Sequence, residues 1–418
     1  MDSNKATGKN VRHRVAAAAA VPHRQTKRRL TMRTSGQSLK LWWGGPRRWL
    51  FGLGAAALIA AMPAAPAQAA TSYVANNGLD TSPCTKSMPC RSITRALGMA
   101  APGDTVEVGP GIYGDIDGSG TVGDFAGEEI PAPSYCMIDI TFPVTLVSKD
   151  GAGSTVLDAG GSGLTKVCIR TAGASGAVFG KLNKGFTVRN GWGGGVDLSD
   201  AAGVKVQGNV VEGGGYDCFD LFNTNAATVK NNIATNCRSG GMRSGFYLQD
   251  TTGTVLTGNL ANASDTGFLV NGNSGTVVTK NVAVGNLVGF EIVGDETEMP
   301  VTASNNTAAG NLRWGLDLMF SGSAGPGSVT LTKNNFFGNG EQAFGPFPPN
   351  CGLVVVNGGL TGVTVNASGN FWGAATGPGP NPADMAGGSC NQDLGSGITL
   401  TTTPVATTKL PLYPPKMK

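Results

Sequence analysis

The chain has 418 residues, and its formal charge of +4 arises at one end. Residues 1–48 contain twelve of the 31 Lys and Arg residues but only one of the 27 Asp and Glu residues, which leaves 19 and 26 elsewhere, or about −7. Such an acidic chain is a poor candidate for nucleic-acid binding. Both histidines, His13 and His23, lie in the same segment. The rest of the chain therefore lacks a histidine for a Ser-His-Asp triad or a metal site.

The first 69 residues have the order of a signal peptide. A basic segment is followed by an apolar run from Trp49 to Met62 and by a small-x-small cleavage signal that ends at Ala69. The apolar run is short for a bilayer-spanning helix, and no later stretch is long and apolar enough. We therefore expect a secreted protein, extracellular, periplasmic or at the cell surface, with no membrane span after cleavage.

Alternative interpretations of this segment are an uncleaved anchor and translation from Met32. Arg47 and Arg48 also fit a twin-arginine export signal. The cysteines favour the general secretory route, because disulfides form more readily outside the cytosol.

The next segment predicts a helix and the first strand of a repeating fold. Arg91 to Ala100 has apolar residues at helical spacing and is followed by Pro102 and Gly103, which end helices. We expect residues 70–104 to form a strand and a helix that caps the N-terminal end of a stack. Thr105–Val108 is expected to be the first strand of that stack.

Two repeats run in step through the remaining chain, in which Gly is abundant and charged residues are few. One consists of the segments GVDL, CFDL, GFYL, GFLV, GFEI and GLDL. The other is an Asn at a turn, with steps of 22 to 28 residues and a last step of 36: Asn209, Asn232, Asn259, Asn281, Asn306, Asn334 and Asn370. Each unit predicts three short strands, one coil of a stacked solenoid. Asn tolerates the left-handed turn conformation, and its amide can bond to the Asn above and below.

Alternation in the GVDL-type segments assigns each side chain to a face. We expect these residues to point into the core, with the Phe rings stacked: Val196, Leu198, Phe219, Leu221, Phe246, Leu248, Phe268, Val270, Phe290, Ile292, Leu316 and Leu318. We expect one outward column, with strands about 4.8 Å apart: Asp197, Asp220, Tyr247, Leu269, Glu291 and Asp317. The solenoid should extend over residues 105–410. The strand Ile398 to Thr402 and the proline-rich tail, residues 411–418, should close it.

All eight cysteines follow the predicted signal peptide, and an even count in an exported chain predicts disulfides. A stacked fold favours partners close in sequence, which predicts Cys84–Cys90, Cys136–Cys168, Cys218–Cys237 and Cys351–Cys390. The spacings lack the CxxC form typical of zinc sites.

Three segments resemble a known family. YVANNG…PCRSITRALGMAAPGDTVEVGPGIY (from Tyr73 to Tyr113), TLVSKDGAGSTVLDAGG and GNFWGAATGPGPNP are similar to the opening, second and closing coils of pectate-lyase-like right-handed β-helix proteins. The resemblance covers nearly all of residues 72–410. It implies an exported all-β protein, a right-handed parallel β-helix solenoid with an N-terminal capping helix. It is much less specific for activity, because this fold hosts many functions.

The segment GYDCFDL resembles the D-G-F-D-L calcium motif of family 9 pectate lyases. The resemblance implies that Asp217 and Asp220 bind calcium, with Asp197 as a third ligand one coil earlier. Calcium would acidify the proton beside a substrate carboxylate, and a base would then start β-elimination. Those lyases use a lysine base where this chain has Tyr247. The candidate bases are therefore Tyr247 itself, with its pKa lowered by calcium, and two arginines, Arg238 and Arg243.

Paired carboxylates on adjacent coils offer glycoside hydrolysis as an alternative. Asp197 with Asp220, or Glu291 with Asp317, would lie about 5 Å apart, near the spacing of retaining enzymes. The plain alternative is that outward acids only keep the sheet face hydrated.

Two tryptophans precede strands of the same column. An exposed indole at Trp192 or Trp314 could stack on a sugar ring, and Arg313 could hold a uronate. The alternative for both tryptophans is a role in covering a turn.

A second calcium candidate lies between early coils. Asp115, Asp117 and Ser119 resemble the first ligands of an EF-hand or dockerin loop, with Gly at the sixth position. The twelfth position is Ala126, where a carboxylate is expected. The replacements within reach of a bent loop are Asp124, Glu128 and Glu129. The alternative is an acidic insertion without a metal.

The sequence therefore predicts a secreted, monomeric β-helix that binds acidic polysaccharide with calcium and cleaves it by β-elimination. A non-catalytic surface, adhesive or glycan-binding β-helix is the first alternative, and the missing lysine favours it. A glycoside hydrolase with paired carboxylates is the second.

Overall fold

The computed structural model describes residues 68–413 and 415, apart from 162–165, 239–242, 273–274, 295–300, 323–325, 342 and 396. The predicted signal peptide lies almost entirely outside the described residues. Within the described part of the chain, no helix is long and apolar enough to cross a membrane.

The chain folds as a right-handed parallel β-helix with three sheets, and each coil from β2 to β28 contributes one strand to each sheet, whereas the coils at the two ends are incomplete. Sheet 1 has twelve strands, β1 (Thr71–Val74), β2 (Thr105–Val108), β5 (Thr145–Ser148), β8 (Val178–Phe179), β11 (Lys205–Gln207), β14 (Thr228–Lys230), β17 (Val255–Thr257), β20 (Val277–Thr279), β23 (Thr302–Ser304), β26 (Pro326–Thr332), β29 (Gly362–Asn366) and β31 (Ile398–Thr401).

Sheet 2 follows sheet 1 in each coil and has nine strands, β3 (Gly111–Gly114), β6 (Thr155–Asp158), β9 (Thr187–Gly191), β12 (Val210–Gly214), β15 (Ile233–Thr235), β18 (Leu260–Asn262), β21 (Val282–Val284), β24 (Thr307–Ala309) and β27 (Asn335–Phe337).

Sheet 3 carries the GVDL-type repeat and has ten strands, β4 (Cys136–Ile140), β7 (Lys166–Arg170), β10 (Val196–Ser199), β13 (Phe219–Phe222), β16 (Ser244–Gln249), β19 (Thr266–Asn271), β22 (Val288–Gly294), β25 (Trp314–Phe320), β28 (Cys351–Asn357) and β30 (Met385–Asp393). Its strands pair in parallel, so equivalent residues of successive coils lie side by side.

The predicted core column of sheet 3 is confirmed. Phe219, Phe246, Phe268 and Phe290 stack with ring centroids 4.6–4.8 Å apart and interplanar angles of 10° or less. All twelve residues predicted to face inward are buried. The stack holds the strands of neighbouring coils in register, which fixes the position of every outward side chain.

The predicted Asn ladder is confirmed, although its backbone differs from the prediction. Along the ladder, the side-chain N–H of one Asn donates to the side-chain Oδ1 of the next, as Asn232 does to Asn259 at 3.1 Å. The same Oδ1 atom also accepts the backbone N–H of the preceding ladder Asn. The left-handed conformation falls on the residue before each ladder Asn: Gly208, Asn231, Gly258, Lys280, Asn305, Lys333 and Gly369. The expectation that the ladder Asn itself adopts this turn was wrong, because its buried side chain is committed to the ladder.

A second ladder, which the sequence interpretation missed, lies at the corner between sheets 2 and 3. Asn286, Asn311 and Asn339 repeat the same bonding, and Asp384 takes the place of a fourth Asn. A recurring Gly-Asn pair, 25 and then 28 residues apart, is the signal in the sequence that marks it.

The two ends contain the predicted helix and closing strand. A single 3-10 turn spans Ala172–Ala174. Helix α1 (Ile93–Met99) follows Ser92, whose hydroxyl accepts the Arg95 N–H. The role of helix α1 as a cap remains a prediction. Strand β1 precedes the helix and pairs with β2, so Thr105–Val108 is the second strand of sheet 1 rather than the first of the stack. Strand β31 pairs with β29 at the other end.

Four disulfides join the predicted pairs: Cys84–Cys90, Cys136–Cys168, Cys218–Cys237 and Cys351–Cys390. Cys136–Cys168 joins adjacent strands of sheet 3 near one end, and Cys351–Cys390 joins two strands at the other. The outer face of sheet 3 therefore lies between two covalent links.

Candidate functional site

The outer face of sheet 3 contains the predicted acidic column. Asp197, Asp220, Tyr247, Leu269, Glu291 and Asp317 are successive register partners. Three residues ahead of this column, a second series of register partners consists of Ser244, Thr266, Val288 and Trp314.

Glu291 and Asp317 form a carboxyl pair on adjacent strands, β22 and β25. Burial raises the pKa of Asp317 to about 8, and the nearby charge of Glu291 adds to the shift. Burial also raises the pKa of Glu291, whereas a hydrogen bond from the Thr266 hydroxyl, at 3.4 Å, lowers it. A carboxyl group that stays protonated at neutral pH beside a second carboxylate is the arrangement used for acid–base chemistry.

A loop covers Trp314, three residues ahead of Asp317 on the same strand. The backbones of Phe344 and Phe347 bond to each other in a tight turn, and both rings pack edge-on against Trp314, at 5.7 and 5.4 Å. The Asp317 Oδ1 atom has no hydrogen-bond partner within the described structure. The next residue in the column, Val354, is fully buried. A substrate would therefore approach Asp317 from the side of Glu291.

The expectation of an exposed indole at Trp314 was wrong, since only 7% of this residue is exposed. The guanidinium of Arg313 lies 3.5 Å from the Phe344 ring centroid instead of being open to a uronate. The sequence could not show this cover, because Phe344 and Phe347 lie in a loop outside the repeat.

The three predicted calcium ligands on sheet 3 do not converge. Among the described residues, the one group of three or more metal-binding side chains with ligand atoms within 4.8 Å of one another lies elsewhere. Asp197 and Asp220 are neighbours in the column, but Asp217 accepts the backbone N–H of Ser244 at 2.5 Å, and burial raises its pKa.

The candidate bases for β-elimination have other contacts. Burial raises the pKa of Tyr247, a hydrogen bond with Asn271 lowers it, and the charges of Asp220, Asp217 and Asp250 raise it further. The Tyr247 hydroxyl donates to Gln249 at 2.6 Å.

The two arginines proposed as alternative bases lie between strands β15 and β16. Arg243 lies over the Tyr216 ring at 3.9 Å, and Arg238 donates to the Ser264 carbonyl. The Arg238 Nε atom also lies 3.9 Å from Asp265.

The group of carboxylates that does converge is the predicted calcium loop. Asp115, Asp117 and Glu128 bring their oxygens within 4.8 Å of one another. Ser119 lies beside this group: its side chain and its backbone N–H bond to Asp117, and its hydroxyl also contacts Asp124 at 3.1 Å. Of the three replacements considered for Ala126, Glu128 therefore fits.

The third replacement, Glu129, has a structural role. Its carboxylate accepts the Ile93 and Thr94 N–H groups at the start of helix α1, and the Thr94 hydroxyl. Such bonding satisfies backbone donors that a helix start leaves open.

Trp192, the other predicted sugar-stacking residue, is exposed. It lies ahead of β10 with 57% of its surface open, and its ring meets Tyr216 edge-on at 5.7 Å. It borders a trough at the corner between sheets 2 and 3.

Comparisons with known proteins agree with this fold. Residues 173–336 match the family model described as "Right handed beta helix region". A comparison with curated proteins found no match. The resemblance to pectate-lyase-like right-handed β-helix proteins is thus confirmed for the fold.

Among solved structures, the chain is similar to the A-module of mannuronan C-5 epimerase AlgE6 from Azotobacter vinelandii, with 16% identity over 75% of this chain and 93% of that one, and a TM-score of 0.46. It is also similar to pectate lyase Pel9A, with 16% identity over 81% of this chain and 78% of that one, and a TM-score of 0.40. A third similar structure is a GH87 α-1,3-glucanase catalytic domain in complex with nigerose, with 14% identity over 77% of this chain and 66% of that one, and a TM-score of 0.41. None of these three reaches a TM-score of 0.5, so the fold assignment rests on the strand pairing and the family match.

Proposed function

We propose that this protein is a carbohydrate-active β-helix that hydrolyses a polysaccharide on the outer face of sheet 3, with Glu291 and Asp317 as the acid pair. The observation that carries the proposal is their adjacency in register, with Asp317 buried and its pKa raised to about 8. Asp317 is then protonated at neutral pH and can donate to a leaving glycosidic oxygen.

Glu291 is placed to be the nucleophile. Adjacent strands are about 4.8 Å apart, close to the ~5–5.5 Å between the carboxyl groups of retaining glycosidases. Glu291 would attack the anomeric carbon while Asp317 protonates the departing oxygen. Water would then release the sugar, with Asp317 as the base, so we expect the anomeric configuration to be retained.

Calcium-assisted β-elimination, which the resemblance implied, has less support. The predicted ligand set does not converge. An acidic polysaccharide would also bring its carboxylates to a face that carries Asp197, Asp217 and Asp220. Such a substrate therefore requires a cation on this face, whereas a neutral one does not.

Calcium fits the loop between the early coils better. Three carboxylates with oxygens within 4.8 Å of one another supply the hard oxygen ligands that calcium prefers. We propose that Asp115, Asp117 and Glu128 hold calcium as a structural ion.

The test is incubation with xylan, starch, alginate, pectate and chondroitin sulfate, with calcium and with chelator. Reducing ends without the ultraviolet absorbance of an unsaturated sugar, in either condition, support hydrolysis. Calcium-dependent absorbance would instead establish a lyase. Binding of a polysaccharide with neither product would favour the non-catalytic glycan-binding alternative.

A further inference from the structure

An open trough of about 500 Å³ lies at the corner between sheets 2 and 3, beside the early coils. Its side chains come from Trp192, Glu212 and Asn190, and glycines line the rest: Gly160, Gly161, Gly191, Gly213, Gly214 and Gly215. The floor is therefore mostly peptide backbone.

Close backbone contact requires glycine at this corner. Gly191 and Gly214 are register partners on β9 and β12. A Cβ atom at Gly215 would lie 1.9 Å from the Trp192 carbonyl oxygen, and Gly213 has a φ of +67°. A side chain at Gly215 would clash and one at Gly213 would strain the backbone, so the packing of the coils leaves an open floor beside the indole.

The indole of Trp192 forms one wall and is held in place on one side. Tyr216 meets it edge-on, and the Arg243 guanidinium lies 3.9 Å from the Tyr216 centroid. These two contacts fix the orientation of the indole, while more than half of the Trp192 surface stays exposed. An aromatic surface beside polar groups is typical of ligand sites, and a sugar ring offers the matching C–H face.

Glu212 supplies a polar group at the same trough. It is exposed and makes no hydrogen bond or ion pair with any described residue, since its register partner Arg189 pairs with Asp158 at 2.7 Å. A carboxylate without a protein partner can accept hydrogen bonds from sugar hydroxyls.

The trough lies along the same sheet as the acid pair. Four strand steps separate β10, which follows Trp192, from β22, which contains Glu291. At ~4.8 Å for each step, this is about 19 Å along the stack. A polysaccharide could reach both places, whereas a disaccharide could not.

We propose that this trough is a sugar-binding subsite for the polysaccharide that the acid pair cleaves, with one sugar ring stacked on Trp192 and bonded to Glu212. This inference rests on the proposed function. The subsite tightens the binding of long chains and leaves the chemical step on short substrates unchanged.

The test compares electrophoretic retardation of the protein in gels that contain each polysaccharide of the panel above. For the polysaccharide that retards the wild type, Trp192→Ala should weaken binding by at least tenfold. Glu212→Gln should weaken it less, and Trp192→Phe should preserve most of it. Leu394→Ala, which shortens another exposed apolar side chain, should leave binding unchanged.

Equal retardation of wild type and Trp192→Ala would overturn the subsite and leave the acid pair unaffected. Hydrolysis without any retardation of the wild type would also overturn the subsite alone. If no polysaccharide is bound or cleaved by the wild type, both proposals are wrong.

Discussion

Asp317 lies beside Glu291 on the outer face of sheet 3, buried, with its Oδ1 atom unpaired within the described structure. Two carboxyl groups this close cannot both ionise easily, so the pair shares its charge. On the opposite side of the same strands, Phe290 and Leu316 are register partners in the core. The chemistry of the face therefore depends on the packing of the core.

The raised pKa of Asp317 predicts that the folded protein loses stability as the pH rises. The unfolded chain ionises this group near pH 4, but the folded chain ionises it near pH 8. The stabilisation is complete below pH 4 and is lost as the pH rises through 8, at about 1.4 kcal/mol for each unit between these values. Asp317→Asn should flatten this dependence in denaturant unfolding at pH 5 and pH 9. Equal losses in variant and wild type would show that Asp317 is not the cause.

A similar dependence is expected at the end of the second ladder. Asp384 has its pKa raised to about 6 by burial, and it stands where an Asn would continue the ladder. Asp384→Asn should therefore stabilise the protein above pH 6, by at most about 3 kcal/mol, and change little below pH 4. The free energy of unfolding at pH 8 and pH 4 checks this. A loss of stability at pH 8 would contradict it.

Removal of one ring from the Phe stack should be costly. Phe268 is fully buried between Phe246 and Phe290, so Phe268→Ala should lower the free energy of unfolding by about 3–5 kcal/mol. Leu269→Ala, on the outer face of the same strand, is the matched control and should cost less than about 1.5 kcal/mol. Similar costs for both variants would mean that the stack does not fix the register.

Calcium should raise the melting temperature of the wild type through the loop at Asp115, Asp117 and Glu128. The Glu128→Gln variant should lose most of this rise, while Asp220→Ala should keep it. A response lost in Asp220→Ala and kept in Glu128→Gln would move calcium to sheet 3 and favour the lyase interpretation.

The repeat made much of this fold predictable from sequence. Alternation within GVDL-type segments assigned Phe246 to the core and Glu291 to the surface, because a strand has a period of two. The Asn ladder was predictable from its joint register with that repeat. The backbone of its turns was not, since the residue before each Asn varies among Gly, Asn and Lys.

The candidate site was predictable only in part. The adjacency of Glu291 and Asp317 follows from the repeat, but the burial that raises the pKa of Asp317 does not. The cover over the neighbouring Trp314 includes Phe344, in a loop that follows no period. Likewise, Glu128 joins Asp115 through a loop whose bend the spacing alone did not determine.

The rate of reducing-end release by Glu291→Gln, on a polysaccharide that the wild type cleaves, tests the central claim most directly. Asp197→Asn, at an outward position of the same column, is the control and should retain activity. We predict at least a hundredfold lower rate for Glu291→Gln, without a fall in the melting temperature. A rate within twofold of the wild type would contradict the assignment of the acid pair.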